Sequence, residues 1–310
     1  MKIGWLPLLL AVHCASAAEF SPAPFAPARL EALITQSGLD EISGIAASRR
    51  ADEIFWVHND APKPASLQAI NAQGKQVAQL LIDGVRAVDW EDIASFEQDG
   101  KSWLLIADVG DNAGARKDYE LILVEEPVLQ THGETLSRKP EWRMRFRYPD
   151  GAHDCEAMAV DTRSRQILLL SKRSSTPAVY ALSLDADTGK VQVARRLTHL
   201  RTLPQPTADE RTARFPAARL GNLPTAMDID TDGRRAIVLT YRDVWLFPRA
   251  ENESWLQAFG RVPQRLPLPP MAQAEALGFD REGESILVSG EHLPAPLLRF
   301  DGSPAKDQGD

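Results

Sequence analysis

Cysteine is nearly absent: two occur among 310 residues, Cys14 and Cys155. Cys14 falls in the N-terminal leader described below, so a mature chain keeps only Cys155 and cannot form an internal disulfide. Positive charge is also short, with 35 Lys and Arg against 43 Asp and Glu, a net −8 that argues against a nucleic-acid partner. Beyond the leader no stretch holds 18 uninterrupted apolar residues, so no transmembrane segment is expected. Gly-rich phosphate loops, His-Glu-x-x-His and Gly-x-Ser-x-Gly are all missing. Proline, by contrast, is plentiful. Its 22 copies exceed the usual share of about 5% and point to many turns and few long helices. With 44% hydrophobic and 25% charged residues, the composition excludes collagen-like, low-complexity and intrinsically disordered chains.

The N-terminus has the form of an address. Lys2 is followed by an apolar run over 3–12, then by the small residues Ala15, Ser16, Ala17 and Ala18. This predicts a signal peptide over 1–18, cleaved near Ala18, and a periplasmic or secreted bacterial protein. A lipid anchor on Cys14 is the rival, but His13 is a poor fit before a lipidated cysteine. The remainder, 19–310, reads as one domain.

That domain repeats itself. Ser43-Gly44-Ile45-Ala46, Glu91-Asp92-Ile93-Ala94, Glu156-Ala157-Met158-Ala159, Thr225-Ala226-Met227-Asp228 and Glu275-Ala276-Leu277-Gly278 share one pattern, and each precedes a turn and a second apolar run. Third strand-like runs follow at 67–70, 119–124, 179–184, 244–247 and 297–300. Fourth runs follow at 76–82, 142–148, 191–197 and 259–268. The fifth repeat ends too early to supply its own fourth strand, and residues 28–35 can supply it from the other end of the chain. Four short strands per repeat predict an all-β fold, a β-propeller of four-stranded blades closed by an N-terminal strand. Five blades are counted, six if an insertion hides one. A β-sandwich is the alternative, but uninterrupted apolar runs such as 167–170 suit strands buried on both faces.

The longest departure from the repeat, 199–223, carries Arg201, Arg211, Arg214 and Arg219, with Arg196 at its edge. It reads either as a basic flap over one mouth of the channel or as a solvated loop.

Innermost strands bring equivalent residues into rings around the axis. Two residues before each aliphatic anchor stand Ser43, Glu91, Glu156, Thr225 and Glu275, with Glu41, Asp89, Asp92, Asp154 and His153 nearby. Converging carboxylates repel one another at low dielectric. A calcium ion with oxygen ligands would relieve this, and so would hydrogen bonds from backbone amides. A second cluster follows the second strands: His58-Asn59-Asp60, Asp108 to Asp111, Lys172-Arg173, Tyr241-Arg242 and Glu291-His292. Antiparallel pairing puts both clusters at one mouth, the default candidate site. Cys155 is expected to point into blade packing. Asp232-Gly233 reads as a hairpin turn, because Leu239 stands where a calcium loop needs glutamate.

Four segments together resemble an uncharacterised family of secreted bacterial β-propellers: Trp56 to Asp60, Asp89-Trp90-Glu91-Asp92-Ile93-Ala94, Asp108-Val109-Gly110-Asp111-Asn112, and Tyr148 to Ala157. The resemblance spans about 39–183. More distantly the chain is similar to phytase-like and esterase-like propellers, and that likeness implies calcium in central acidic loops. The basic cluster that binds phosphate in phytases has no clear counterpart.

Two functions are then open. The first is a metal-dependent hydrolase of phosphoesters or carboxylic esters, with Glu91, Glu156, Glu275, Asp60, Asp108 and Asp111 as metal ligands. His153 or His58 would transfer the proton, and Arg242 or Lys172 would stabilise negative charge. The second is a non-catalytic propeller that binds a small-molecule or envelope ligand at the channel mouth. Fold alone does not decide between them.

Overall fold

A computed structural model of the chain describes residues 25–173, 176–205, 207–212 and 220–302. The leader expected over 1–18, with its expected cleavage point near Ala18, and residues 213–219 of the insertion lie outside the described residues.

The chain opens with β1 (Arg29–Ile34) and then lays down blades from the axis outward. Blade one is β2 (Ile42–Ala47), β3 (Ile54–Asn59), β4 (Ser66–Asn71) and β5 (Gln76–Ile82). Blade two is β6 (Trp90–Gln98), β7 (Lys101–Asp108), β8 (Tyr119–Glu125) and, after β9 (Glu134–Arg138), β10 (Trp142–Arg147). Blade three is β11 (Cys155–Asp161), β12 (Gln166–Ser171), β13 (Ala178–Ser183) and, after β14 (Gln192–Val193), β15 (Arg195–His199). A short helix α1 (Ala208–Thr212) lies in the insertion. Blade four is β16 (Pro224–Ile229), β17 (Arg235–Thr240), β18 (Asp243–Pro248) and, after α2 (Trp255–Ala258), β19 (Gln264–Pro267). Blade five is β20 (Ala274–Phe279), β21 (Ser285–Gly290) and β22 (Ala295–Asp301), completed by β1. The propeller has five blades, and the N-terminal strand closes it, antiparallel to β22 from Arg29↔Arg299 to Ile34↔Ala295.

Two edges differ from the four-strand expectation. β9 runs out of blade two and pairs in parallel with β5 of blade one, from Ala78↔Glu134 to Ile82↔Arg138. β14 does the same on β10. Both additions are outermost and largely exposed, and their polar and charged residues blunt the edge against further pairing.

The hydrophobic core lies between blades. Along β12, Ile167 and Leu169 pack toward blade two, whereas Leu168 and Leu170 pack toward blade four. Each strand's two faces thus serve two different cores, which is why apolar runs replace alternation. Five such cores follow one another around the ring. Cys155 belongs to one of them, with Sγ donating to Leu170 O at 3.3 Å. Burial pushes its thiol up to about 12, so it is not a nucleophile at neutral pH.

Small residues line the inner strands, where β2, β6, β11, β16 and β20 converge in cyclic order. The axis is not open along its length. Asp92, fully buried on β6, reaches across it: Oδ2 accepts from Met158 N of blade three at 2.8 Å and from Met227 N of blade four at 3.1 Å.

Candidate functional site

The same irregularity occurs at the start of all five inner strands. Register slips between Ile42 and Gly44, Trp90 and Asp92, Cys155 and Ala157, Pro224 and Ala226, and Ala274 and Ala276. The extra residue of each bulge is Ser43, Glu91, Glu156, Thr225 or Glu275. A β-bulge re-aims one side chain out of the pleat, so the ring inferred from sequence is a ring of bulge residues. Register also fixes a second ring, the residue just past each second strand's last pairing: Asp60, Val109, Lys172, Tyr241 and Glu291.

The two rings meet in a recessed polar cluster. Glu91, Asp154 and Glu156 offer carboxylate oxygens that all lie within 4.8 Å of one another, and all three residues are buried. Lys172 Nζ sits 2.8 Å from Glu156 Oε2 and 3.8 Å from Glu275 Oε1. Tyr241 OH donates to Glu275 Oε1 at 2.6 Å. Asp154 accepts from Asp111 N at 2.9 Å and from Arg173 Nε at 2.5 Å. Gly110 closes one side, where a Cβ would collide with Glu91 Oε1 and the Asp89 carboxylate. Beside Asp154 opens a cavity of about 290 Å³ lined by Asn112, His153 and Arg173, among others.

Of the remaining candidates, Asp111 and His153 border that cavity, whereas Asp60, Asp108, His58 and Arg242 lie outside the carboxylate cluster. Asp108 accepts from Val88 N at 3.0 Å and pairs with Arg116 at 2.8 Å. Asp111 organises its own loop, accepting from Ala115 N, Arg116 N and Tyr119 OH at 2.8 to 2.9 Å. Asp60 faces Glu41 at the rim, and its Oδ1 has no partner. His58 is fully buried over Gly44, where a Cβ would collide with its Nε2. Burial lowers its pKa to about 4. His153 Nε2 lies 3.0 Å from Asp150 Oδ1 and 2.9 Å from Tyr180 OH. Arg242 pairs with Glu210 of the insertion at 2.6 Å, which ties α1 to this mouth. Asp154 and Tyr241 were quoted among the mouth residues on sequence, yet nothing there marked them as members of the cluster.

Burial dominates the electrostatics. It raises Glu91 well above the carboxylate range, reinforced by Glu156 and Asp89. It lifts Glu156 to about 7 despite Lys172. Asp89 rises to about 6, with Asp60 adding to burial, and Glu291 rises to about 8, with Glu275 adding to it. Raised acids bind protons more readily in the folded state, so their contribution to stability grows as pH falls from about 8 toward 4.5. His58 acts oppositely between about 6.5 and 4, where only the unfolded chain takes up its proton. In a chelator, unfolding free energy should therefore be higher at pH 6 than at pH 8, by about 2–4 kcal/mol. Urea titrations at the two pH values check this, and equal midpoints would show that the ring is fully hydrated.

One solved structure shares this fold, and two others align with it at lower scores. The PQQ-bound aldose sugar dehydrogenase of Streptomyces coelicolor is similar over 90% of this chain and 99% of its own, with 10% identity and a TM-score of 0.50. A gluconolactonase from Xanthomonas campestris matches over 91% and 99% of the two chains, with 13% identity and a TM-score of 0.43. A luciferin-regenerating enzyme matches over 87% and 95%, with 9% identity and a TM-score of 0.42. At these identities the likeness is one of fold alone. No family model matches the chain, and neither does any curated protein sequence.

Proposed function

We propose that the mouth binds a divalent cation, calcium first, and that the chain acts there as a hydrolase of phosphoesters or carboxylic esters. The observation that carries this reading is the convergence of Glu91, Asp154 and Glu156, three buried residues whose carboxylate oxygens lie within 4.8 Å of one another. Glu275, Asp89 and Glu291 add acid around them, against Lys172 and Arg173. A cation in place of the protons that burial favours would relieve this crowding, and an all-oxygen donor set suits a hard one. Glu91, Asp154 and Glu156 would hold it, with Lys172 keeping Glu156 and Glu275 in place. Such an ion supplies polarisation of a carbonyl or phosphoryl oxygen.

The protein's own groups set the rest. Substrate would occupy the cavity beside Asp154, where the half-exposed guanidinium of Arg173 meets negative charge. His153 lines the same cavity, with Asp150 and Tyr180 fixing its ring. This supports His153, rather than buried His58, as the group that would hold or move a proton. One observation favours the second reading, a non-catalytic ligand-binding propeller: His153 Nε2 is already engaged by Asp150 and Tyr180.

Calorimetric titration of residues 19–310 with calcium should give stoichiometric heat that disappears in the Glu91→Gln/Glu156→Gln double variant. Calcium-dependent release of p-nitrophenol from its phosphate or acetate ester, abolished by a chelator, would then establish the hydrolase. Calcium binding without turnover would favour the ligand-binding reading. No heat from a folded protein would leave the acids a structural role.

A further inference from the structure

The far end of the axis holds a second cavity, of about 260 Å³, lined by residues that include Arg49, Phe96, Val160, Ile229 and Arg281. These residues lie at or just past the ends of β2, β6, β11, β16 and β20 opposite the bulges. At about 3.3 Å per strand residue, the cavity is roughly 15 Å from the acid ring and separate from it.

Arg49 is the anomaly there. It is 6% exposed. Its Nε donates to Ser95 O and Oγ at 3.2 and 3.0 Å, and its Nη1 donates to Arg281 O at 2.9 Å. These acceptors are all neutral. Among the described residues no carboxylate pairs with this guanidinium; Asp228, Glu126 and Glu97 act on it only at longer range. The nearest acids are held by other donors: Asp228 accepts from Ile229 N at 2.8 Å and from Phe279 N at 2.9 Å. Glu126 accepts from Ser48 Oγ, Arg49 N and Trp56 Nε1, and Asp230 is held by Arg235 at 2.7 Å. Arg281 pairs outward with Asp52 at 2.6 Å. A buried cation with no carboxylate in direct contact is costly, and an apolar side chain of similar length would hold the same place at less cost.

We propose that this cavity binds a small organic monocarboxylate, whose carboxylate takes the open edge of the Arg49 guanidinium. The planar fork of donors matches a carboxylate. Phe96, Val160 and Ile229 offer a surface for a short carbon skeleton, and Thr162 and Thr231 supply hydroxyls. The volume equals that of about nine waters at about 30 Å³ each, which limits the ligand to a few carbons. Glu97, also in the lining, disfavours a second negative charge.

The test is calorimetric titration of residues 19–310 with butyrate, with butyramide as the neutral isostere and inorganic phosphate as a competing anion. Butyrate should bind saturably at one site, and the other two should not. Arg49→Met should fold with equal or higher Tm yet weaken butyrate binding by about tenfold or more. Thr231→Trp, at the exposed rim, keeps the guanidinium but fills the space, and should also abolish binding. The Glu91→Gln/Glu156→Gln variant should bind butyrate as the parent does, which separates this site from the cation site. Three results would each overturn the proposal: no saturable heat with the parent protein, unchanged affinity in either cavity variant, or butyramide binding as well as butyrate. A destabilised Arg49→Met variant together with no butyrate binding by the parent would make Arg49 a fastener between blades.

Discussion

Replacing Lys172 by methionine should cost about 3–5 kcal/mol of stability at pH 8, the usual penalty for removing one partner of a buried ion pair. The ammonium lies between Glu156 and Glu275, nearly inaccessible, with the Tyr241 ring 5.1 Å away. Without it two carboxylates face each other at low dielectric, and a proton is the simplest replacement. Glu156 already stands at about 7 with the lysine present. Its folded-state pKa would rise further, so the lost stability should return as pH falls through that value. The deficit should accordingly be about half as large at pH 6 as at pH 8. Millimolar calcium should restore part of it at pH 8, because the same charge is then supplied by an ion. Urea unfolding at both pH values, with and without calcium, reads all of this. A loss that is independent of pH would mean that only packing around the lysine stem had been removed.

The second large effect lies deeper on the axis. Asp92→Ala should destabilise the fold by about 3–5 kcal/mol, since three buried N–H groups, of Ile93, Met158 and Met227, lose their acceptor at about 1–3 kcal/mol each. Asp92→Asn should cost less, because burial raises the Asp92 pKa well above the carboxylate range and the amide oxygen can still accept from Met158 N and Met227 N. Some loss remains, because the amide nitrogen cannot accept from Ile93 N. Thermal and urea unfolding of the two variants distinguish an acceptor role from a requirement for charge. Equal losses in both would assign the effect to the charge.

Much of this architecture was legible because a propeller repeats its physics. Each inner strand must pass close to its neighbours, so small residues recur, and each blade buries two faces, so apolar runs recur. The need for a closing strand was likewise visible in a fifth repeat that ended too soon. Glu134–Arg138 escaped because it is a polar strand, exposed at a sheet edge, without a core pattern to announce it. The acid ring was legible for the same reason as the blades. Its compensation was not: the second ring reads Asp60, Val109, Lys172, Tyr241 and Glu291, and no repeat marks the one lysine that sits between two glutamates. The distant partners of His153 and Arg242 were equally hidden. Tyr180 is 27 residues from His153 and Glu210 is 32 from Arg242, separations that carry no local signal, whereas Asp150 lies only three residues from His153.

The pairing of β1 with β22 also bears on how the ring holds together over time. Blades one to four are each seeded by neighbouring stretches of chain, whereas blade five joins residues 272 positions apart, as in the Arg29–Asp301 ion pair. Of the described strands, β1 is made before all the others and waits for β22, made after them. Until the two meet, the inner faces of blades five and one stay wet, an open horseshoe with two sticky ends. The finished ring is a bracelet with a single clasp, and a cut between residues 25 and 34 should release it where an equal cut in any outer turn would not.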